Sequence, residues 1–102
     1  MPKASEVIPQ KWSNIKIIFE DEDYSVIMGN YDGNICLGER WNGGENGYGF
    51  PHQADKPIWH IVPSYFQIPI LHKILELHLR DSSQNESQIA LTIEAIGFFQ
   101  KN

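Results

Sequence analysis

The stretch YSVIMGNYDGNICLGERW, residues 24–41, decides the fold. Apolar and polar side chains alternate along it. Tyr24, Val26 and Met28 share one face of its first half, and Ile35, Leu37 and Trp41 share one face of its second. A period of two is the periodicity of a strand. Between the halves lies Asp32-Gly33, extended by Asn34. Tight hairpin turns need positive φ, which Gly, Asn and Asp adopt most readily, so this pair predicts an antiparallel hairpin.

Working outward, NIKIIFE (14–20) sets Ile15, Ile17 and Phe19 against Lys16 and Glu20, a strand pattern with β-branched content. The acidic run EDED (20–23) makes the turn between this strand and the next. Residues 1–12 read as a loose arm. Downstream, PIWHIVP (57–63) predicts a fourth, short strand closed by Pro57 and Pro63. After Pro63 the period changes. Ile70, Leu71, Ile74, Leu75, Leu77 and Leu79 form a helical stripe opposite Lys73, Glu76 and Arg80. Ser64 and Gln67 have the spacing of a capping box, but Pro69 favours a later helix start. DSSQNES (81–87) is a polar connection, with a second capping-box spacing at Ser83 and Glu86. In QIALTIEAIGFF (88–99), Ile89, Ile93 and Ile96 fit a helix, whereas Ile89, Leu91 and Ile93 fit a strand. The Ala, Glu and Gln content and the preceding cap favour helix, with Gly97 as a stop. The expectation is a single α+β domain over residues 1–102. It has a four-stranded antiparallel meander, then two helices packed on one face.

The totals narrow the function. The 102 residues carry a formal charge of -5, which opposes nonspecific nucleic-acid binding and suits a basic partner. One cysteine, Cys36, excludes an intrachain disulfide and points to a reducing, cytoplasmic setting. The N-terminal ten residues lack a signal-peptide core, and no apolar run reaches the length of a membrane span.

One long connection stands out: WNGGENGYGFPHQADKPIW, residues 41–59. It lacks the lysine and hydroxyl of a phosphate loop, and Gly44, Gly47 and Gly49 reverse the spacing of the dinucleotide fingerprint. Its Trp, Tyr, Asn and Gly content is closer to a recognition surface, where aromatics anchor and Gly and Asn adapt. Trp41, Tyr48, Phe50 and Trp59 are the available anchors. For Trp41 and Trp59 a place in the core is the plainer reading.

No reaction is named by a motif. His72 and His78 lie six apart, off the i, i+4 spacing of helical metal ligands, and Cys36 has no ligand neighbour in sequence. No metal or other cofactor is expected. His78 falls in the apolar stripe, where a hydrogen-bonded core histidine is the ordinary outcome. Cys36 reads as a small buried hydrophobe. The acidic run lacks the calcium-loop pattern. His52 and His60 flank Asp55 and Lys56, and two imidazoles beside a cation are the elements of acid–base RNA cleavage. The net negative charge works against such a substrate.

A compact chain with the acidic EDED and the loop WNGGENGYGFPHQADKPIW resembles the immunity proteins that bacteria make against their own secreted or contact-delivered toxins, including those of contact-dependent growth inhibition. The resemblance implies a cytoplasmic, non-enzymatic inhibitor that occludes the active site of a cognate, basic, nuclease-type toxin domain. Immunity proteins vary widely in fold, so no residue is carried over from them. The expected contacts are Glu20, Asp21, Glu22, Asp23, Glu45, Tyr48 and Phe50, without nucleic acid or membrane as partner. The competing expectations are a small hydrolytic enzyme using His52 and His60, and a homo-oligomeric structural domain.

Overall fold

A computed structural model describes residues 11–43, 49–53 and 56–101, with residues 52, 53, 56 and 57 described by their backbone. The elements are β1 (Trp12–Glu20), β2 (Tyr24–Tyr31), β3 (Asn34–Trp41), β4 (His52–Gln53), β5 (Lys56–Pro57), β6 (His60–Ile61), α1 (Ser64–Leu79) and α2 (Glu86–Lys101). The architecture is α+β, with an open four-stranded antiparallel sheet followed by two helices. By contacts the chain divides into two compact units, Met1–Val62 and Pro63–Asn102.

In the first unit the sheet order is β1-β2-β3-β6, and β4 and β5 form a separate small hairpin. The central hairpin is as expected. Asp32 and Gly33 have φ of 50° and 88°, and Tyr31 pairs with Asn34 across them. Positive φ at both central residues gives the turn a twist that matches the strands. From there β2 and β3 pair without a slip as far as Tyr24 and Trp41.

β1 departs from simple alternation. Its pairing with β2 shifts between Ser13 and Lys16, where Asn14 has φ 52°, and again between Ile17 and Phe19. Ile17 lies opposite Ile27, and Phe19 opposite Val26, so these two apolar residues stand on opposite faces of the sheet. The expectation that Ile15, Ile17 and Phe19 share a face fails at Phe19. The extra residue, Ile18, is fully buried. Bulges bend and twist a strand, and β1 is one edge of the sheet, where such irregularity discourages pairing with foreign strands. The arm expected over residues 1–12 lies, for residues 1–10, outside the described residues; Trp12 does not belong to it, since it opens β1 and is buried.

One face of the sheet is organised by Trp12, Ile27 and Trp59, with Ile15, Ile17, Tyr31 and Cys36 packed against them. The Trp12 and Tyr31 rings are 5.3 Å apart and tilted. Burial of apolar area at about 25 cal/mol per Å² makes two buried indoles a large share of such a small core. The indole N–H of Trp59 has no hydrogen-bond partner among the described residues. The fourth strand of the sheet is shorter than residues 57–63: β6 pairs through His60 with Glu39 and Ile61 with Gly38. Pro57 belongs to β5, and Pro63 caps α1.

In the second unit, α1 begins at Ser64, earlier than Pro69 suggests. Pro63, extended at φ −57° and ψ 146°, is the N-cap, with no side-chain cap bond. Pro69 lies inside the helix and has no N–H to offer the Tyr65 carbonyl. Lys73 donates to Glu76, and Arg80 lies 3.8 Å from the same carboxylate, so both cations hold the Glu76 carboxyl below its ordinary range. Asn85, rather than Ser83, precedes α2. Its carbonyl accepts from Ile89 N–H, and its side-chain amide donates to the Asp81 carbonyl at 2.9 Å. The segment at 88–99 is helix throughout, and Gly97 lies inside it rather than at its end. The buried stripe is Thr92, Ala95 and Phe99, whereas Ile93 is 55% exposed. The Thr92 hydroxyl is satisfied by the Gln88 carbonyl at 2.6 Å. On α1 the buried residues are Leu71, Ile74 and His78, a narrower stripe than the apolar positions suggest. The two helices pack against each other. Among the described residues, no helix is long and apolar enough to cross a membrane.

Candidate functional site

The acidic run forms the turn from β1 to β2. Asp21 N–H donates to the Tyr24 carbonyl at 3.0 Å. The Asp21 carboxylate accepts from the N–H groups of Asp23 and Tyr24, both at 2.8 Å. This is an Asx-type turn, in which a short side chain substitutes for backbone. Asp21 therefore holds the turn together. Glu20, Glu22 and Asp23 are exposed.

Asn42, just beyond β3, ties this turn to the start of the glycine-rich loop. Its backbone N–H donates to the Asp23 carbonyl at 2.7 Å, and its side-chain amide donates to the Asp21 carbonyl at 2.9 Å. The same amide exchanges hydrogen bonds with the Ser25 hydroxyl at 3.0 and 3.2 Å. Asn42 and Ser25 are completely buried; the Ser25 hydroxyl pairs with Asn42, and Asn42 pairs with Ser25 and with the turn. No sequence signal singled out Asn42. The only hint is its place between a strand end and Gly43-Gly44.

The loop closes on itself at Trp41 and Phe50. Trp41 N–H donates to the Phe50 carbonyl at 2.7 Å, and Phe50 N–H to the Trp41 carbonyl at 2.9 Å. Gly49 allows that closure. Its φ is 77°, and a Cβ there would lie 1.9 Å from the Trp41 carbonyl oxygen. The following Phe50-Pro51 peptide bond is cis. Beneath the loop, the buried Arg40 guanidinium donates to the carbonyls of Ile58 at 3.1 Å, Trp41 at 3.2 Å and Pro51 at 3.4 Å. Burial lowers the Arg40 pKa from its ordinary value.

The four candidate anchors divide. Trp59 is 6% exposed and belongs to the core, whereas Trp41 is 58% and Phe50 63% exposed. Tyr48 and Glu45 lie outside the described residues. Of the seven expected contacts, the structure brings the acidic turn and Phe50 to the same end of the sheet, through Asn42 and the Trp41–Phe50 closure.

Between these elements is a cleft of about 190 Å³ lined by Tyr24, Glu39, Arg40, Trp41, Phe50, Pro51 and His60. Strand register places Tyr24 opposite Trp41 and Glu39 opposite His60. The Tyr24 hydroxyl donates to Glu39 Oε1 at 2.6 Å, and His60 Nδ1 lies 3.5 Å from Glu39 Oε2. Tyr24 and Trp41 rings are 5.1 Å apart and tilted. Burial, then the hydrogen bond to Glu39 and its negative charge, push the Tyr24 phenol far above its ordinary pKa. Tyr24 thus stays a protonated donor across the physiological range. Neither Glu39 nor Tyr24 was singled out by sequence, because their pairing spans two strands.

Among the described residues, the cleft's lining contains no Ser, Cys or Thr beside the Glu39–His60 pair. The side chain of His52, the other half of the expected histidine pair, lies outside the described residues. Cys36 packs against the Trp12 cluster, and burial raises its thiol pKa, which disfavours the thiolate. Among the described residues, no three His, Cys, Asp or Glu side chains come together to hold a metal ion. Comparisons with protein-family profiles, with curated proteins and with solved structures gave no match to the chain.

Proposed function

We propose that the chain is a protein-binding inhibitor of the immunity type, acting in the cytoplasm without enzymatic activity of its own. Its partner is a cognate toxin domain of basic, nuclease type. The observation that carries this reading is the hydrogen bonding of Asn42 to the Asp21 and Asp23 carbonyls, which holds an acidic turn beside the exposed rings of Trp41 and Phe50. Aromatic anchors beside a rim of one charge are the composition of a steered, specific interface. On this reading the carboxylates would take the place of the substrate's phosphates on the partner, and the rings the place of its bases.

The test is a pull-down with the tagged chain from its native host at low and at high salt, followed by an activity assay on whatever is captured. The expected result is one basic protein, released at high salt, whose activity the chain blocks. A captured protein whose activity is unaffected, or recovery of nothing but further copies of the chain, overturns the reading. In the latter case, a mass that rises with concentration supports the homo-oligomer.

A further inference from the structure

We propose that the cleft between Tyr24, Glu39, Trp41, Phe50 and His60 is a receptor for an arginine side chain, and that the basic partner inserts one there. The second clause rests on the function proposed above; the first does not. Three aromatic side chains, Tyr24, Trp41 and Phe50, contribute to the walls, and one carboxylate, Glu39, sits among them. Aromatic faces with a carboxylate nearby attract a cation through the ring quadrupole and the formal charge together.

Two features favour guanidinium over ammonium. Glu39 Oε1 accepts from Tyr24 at 2.6 Å, which fixes the carboxylate and leaves Oε2, approached at 3.5 Å by His60 Nδ1, as the oxygen for an incoming donor. A planar guanidinium can stack on a ring while donating edge-on to that oxygen, whereas a compact ammonium does one or the other. Arg40, the cation in the cleft's lining, is committed elsewhere. Its side chain belongs to the register of the opposite face, across from Ser25, and donates to the carbonyls of Trp41, Pro51 and Ile58. The half-exposed His60 side chain lies 3.5 Å from Oε2, so an arginine bound there would displace it from that oxygen.

The experiment is an NMR titration of the full chain with N-acetyl-arginine amide, following the three tryptophan indoles. Trp41 is assigned by Trp41→Phe. A saturable shift of the Trp41 indole, with Trp12 and Trp59 unmoved, is expected. Glu39→Gln, which keeps an acceptor for Tyr24, is expected to weaken that binding about tenfold. No saturable shift, or an equal response in Glu39→Gln, overturns the proposal. N-acetyl-lysine amide binding as tightly overturns the guanidinium assignment. The two readings fail separately. Arginine-amide binding with no basic partner in the pull-down sinks the partner and leaves the receptor standing. A partner held equally well by Glu39→Gln removes the cleft from the interface alone.

Discussion

The side-chain amide of Asn42 donates to the backbone carbonyl of Asp21 at 2.9 Å, joining the acidic turn to the foot of the glycine-rich loop. Asn42→Ala strands that carbonyl and the buried Ser25 hydroxyl together. Leaving buried polar groups unpaired predicts a loss of about 3 kcal/mol in urea unfolding. Ser25→Ala, which removes only one partner, is expected to cost less. Equal costs would show that the link to Asp21 contributes nothing.

Two glycines should respond with opposite signs. Gly49→Ala places a Cβ against the Trp41 carbonyl at positive φ, and a loss of at least about 2 kcal/mol is expected. Gly97→Ala meets nothing within 4 Å and lies in a helix, where Ala is favoured by about 0.5–1 kcal/mol. Thermal melts of the two variants decide this, with the melting point lowered in the first and raised in the second.

The Tyr24 phenol ties stability to alkaline pH. Its folded pKa lies above the unfolded value of about 10, so the folded state retains a proton that the unfolded state loses. The contribution is complete below that unfolded value and declines as pH rises through and beyond it. Urea unfolding from about pH 8 to 11 should show stability level at first and falling from about pH 10, a fall that flattens in Tyr24→Phe. A slope unchanged in the variant would assign it to other groups.

The exposed and buried tryptophans should separate binding from stability. Trp41→Ala is expected to lower stability by about 1 kcal/mol or less, since this exposed indole packs on the Tyr24 ring at the rim. It should weaken capture of the partner about tenfold or more. Trp59→Ala should cost about 3–5 kcal/mol. Trp59→Phe also removes a buried N–H that has no partner among the described residues, so it should cost about 1 kcal/mol less than Trp12→Phe.

Charge reversal discriminates within the acidic turn. Glu22→Lys and Asp23→Lys should slow association with a basic partner, most clearly at low salt, and leave the fold intact. Asp21→Lys should instead loosen the turn, because its carboxylate accepts the N–H groups of Asp23 and Tyr24. Association rates and melting points, measured on the same variants, distinguish the two effects.

The hairpin at residues 24–41 and the two helices were legible in the sequence, because each rests on neighbours a few positions apart. Asp and Gly accept the positive φ that a tight turn needs, as Asp32 and Gly33 do, and a polar alternation or a helical stripe repeats within one or two turns. The acidic turn and the aromatic loop were legible as compositions, but not their closeness. That closeness depends on Asn42, which reaches across 21 positions to Asp21. The cleft likewise needs Tyr24, Glu39 and His60 to meet across three strands.

Which tryptophan is core and which is surface was also a tertiary decision. Trp41 and Trp59 look alike in sequence, at the two ends of one loop. Pairing places Trp41 on the rim beside Phe50, while Trp59 turns to the other face with Trp12 and Ile27. The bulges of β1, which move Phe19 away from the face of Ile17, have no local marker except Asn14. The same holds for α2, where Thr92 and Ala95 are buried and Ile93 is not. By itself the sequence determined the three long strands, the two helices and their order, since turn chemistry and periodicity are short-range, but not the short β4–β5 hairpin. Register, face and the meeting of polar partners were decided only in the folded chain. There, packing and the need to satisfy buried hydrogen-bonding groups outweigh the preferences of single residues.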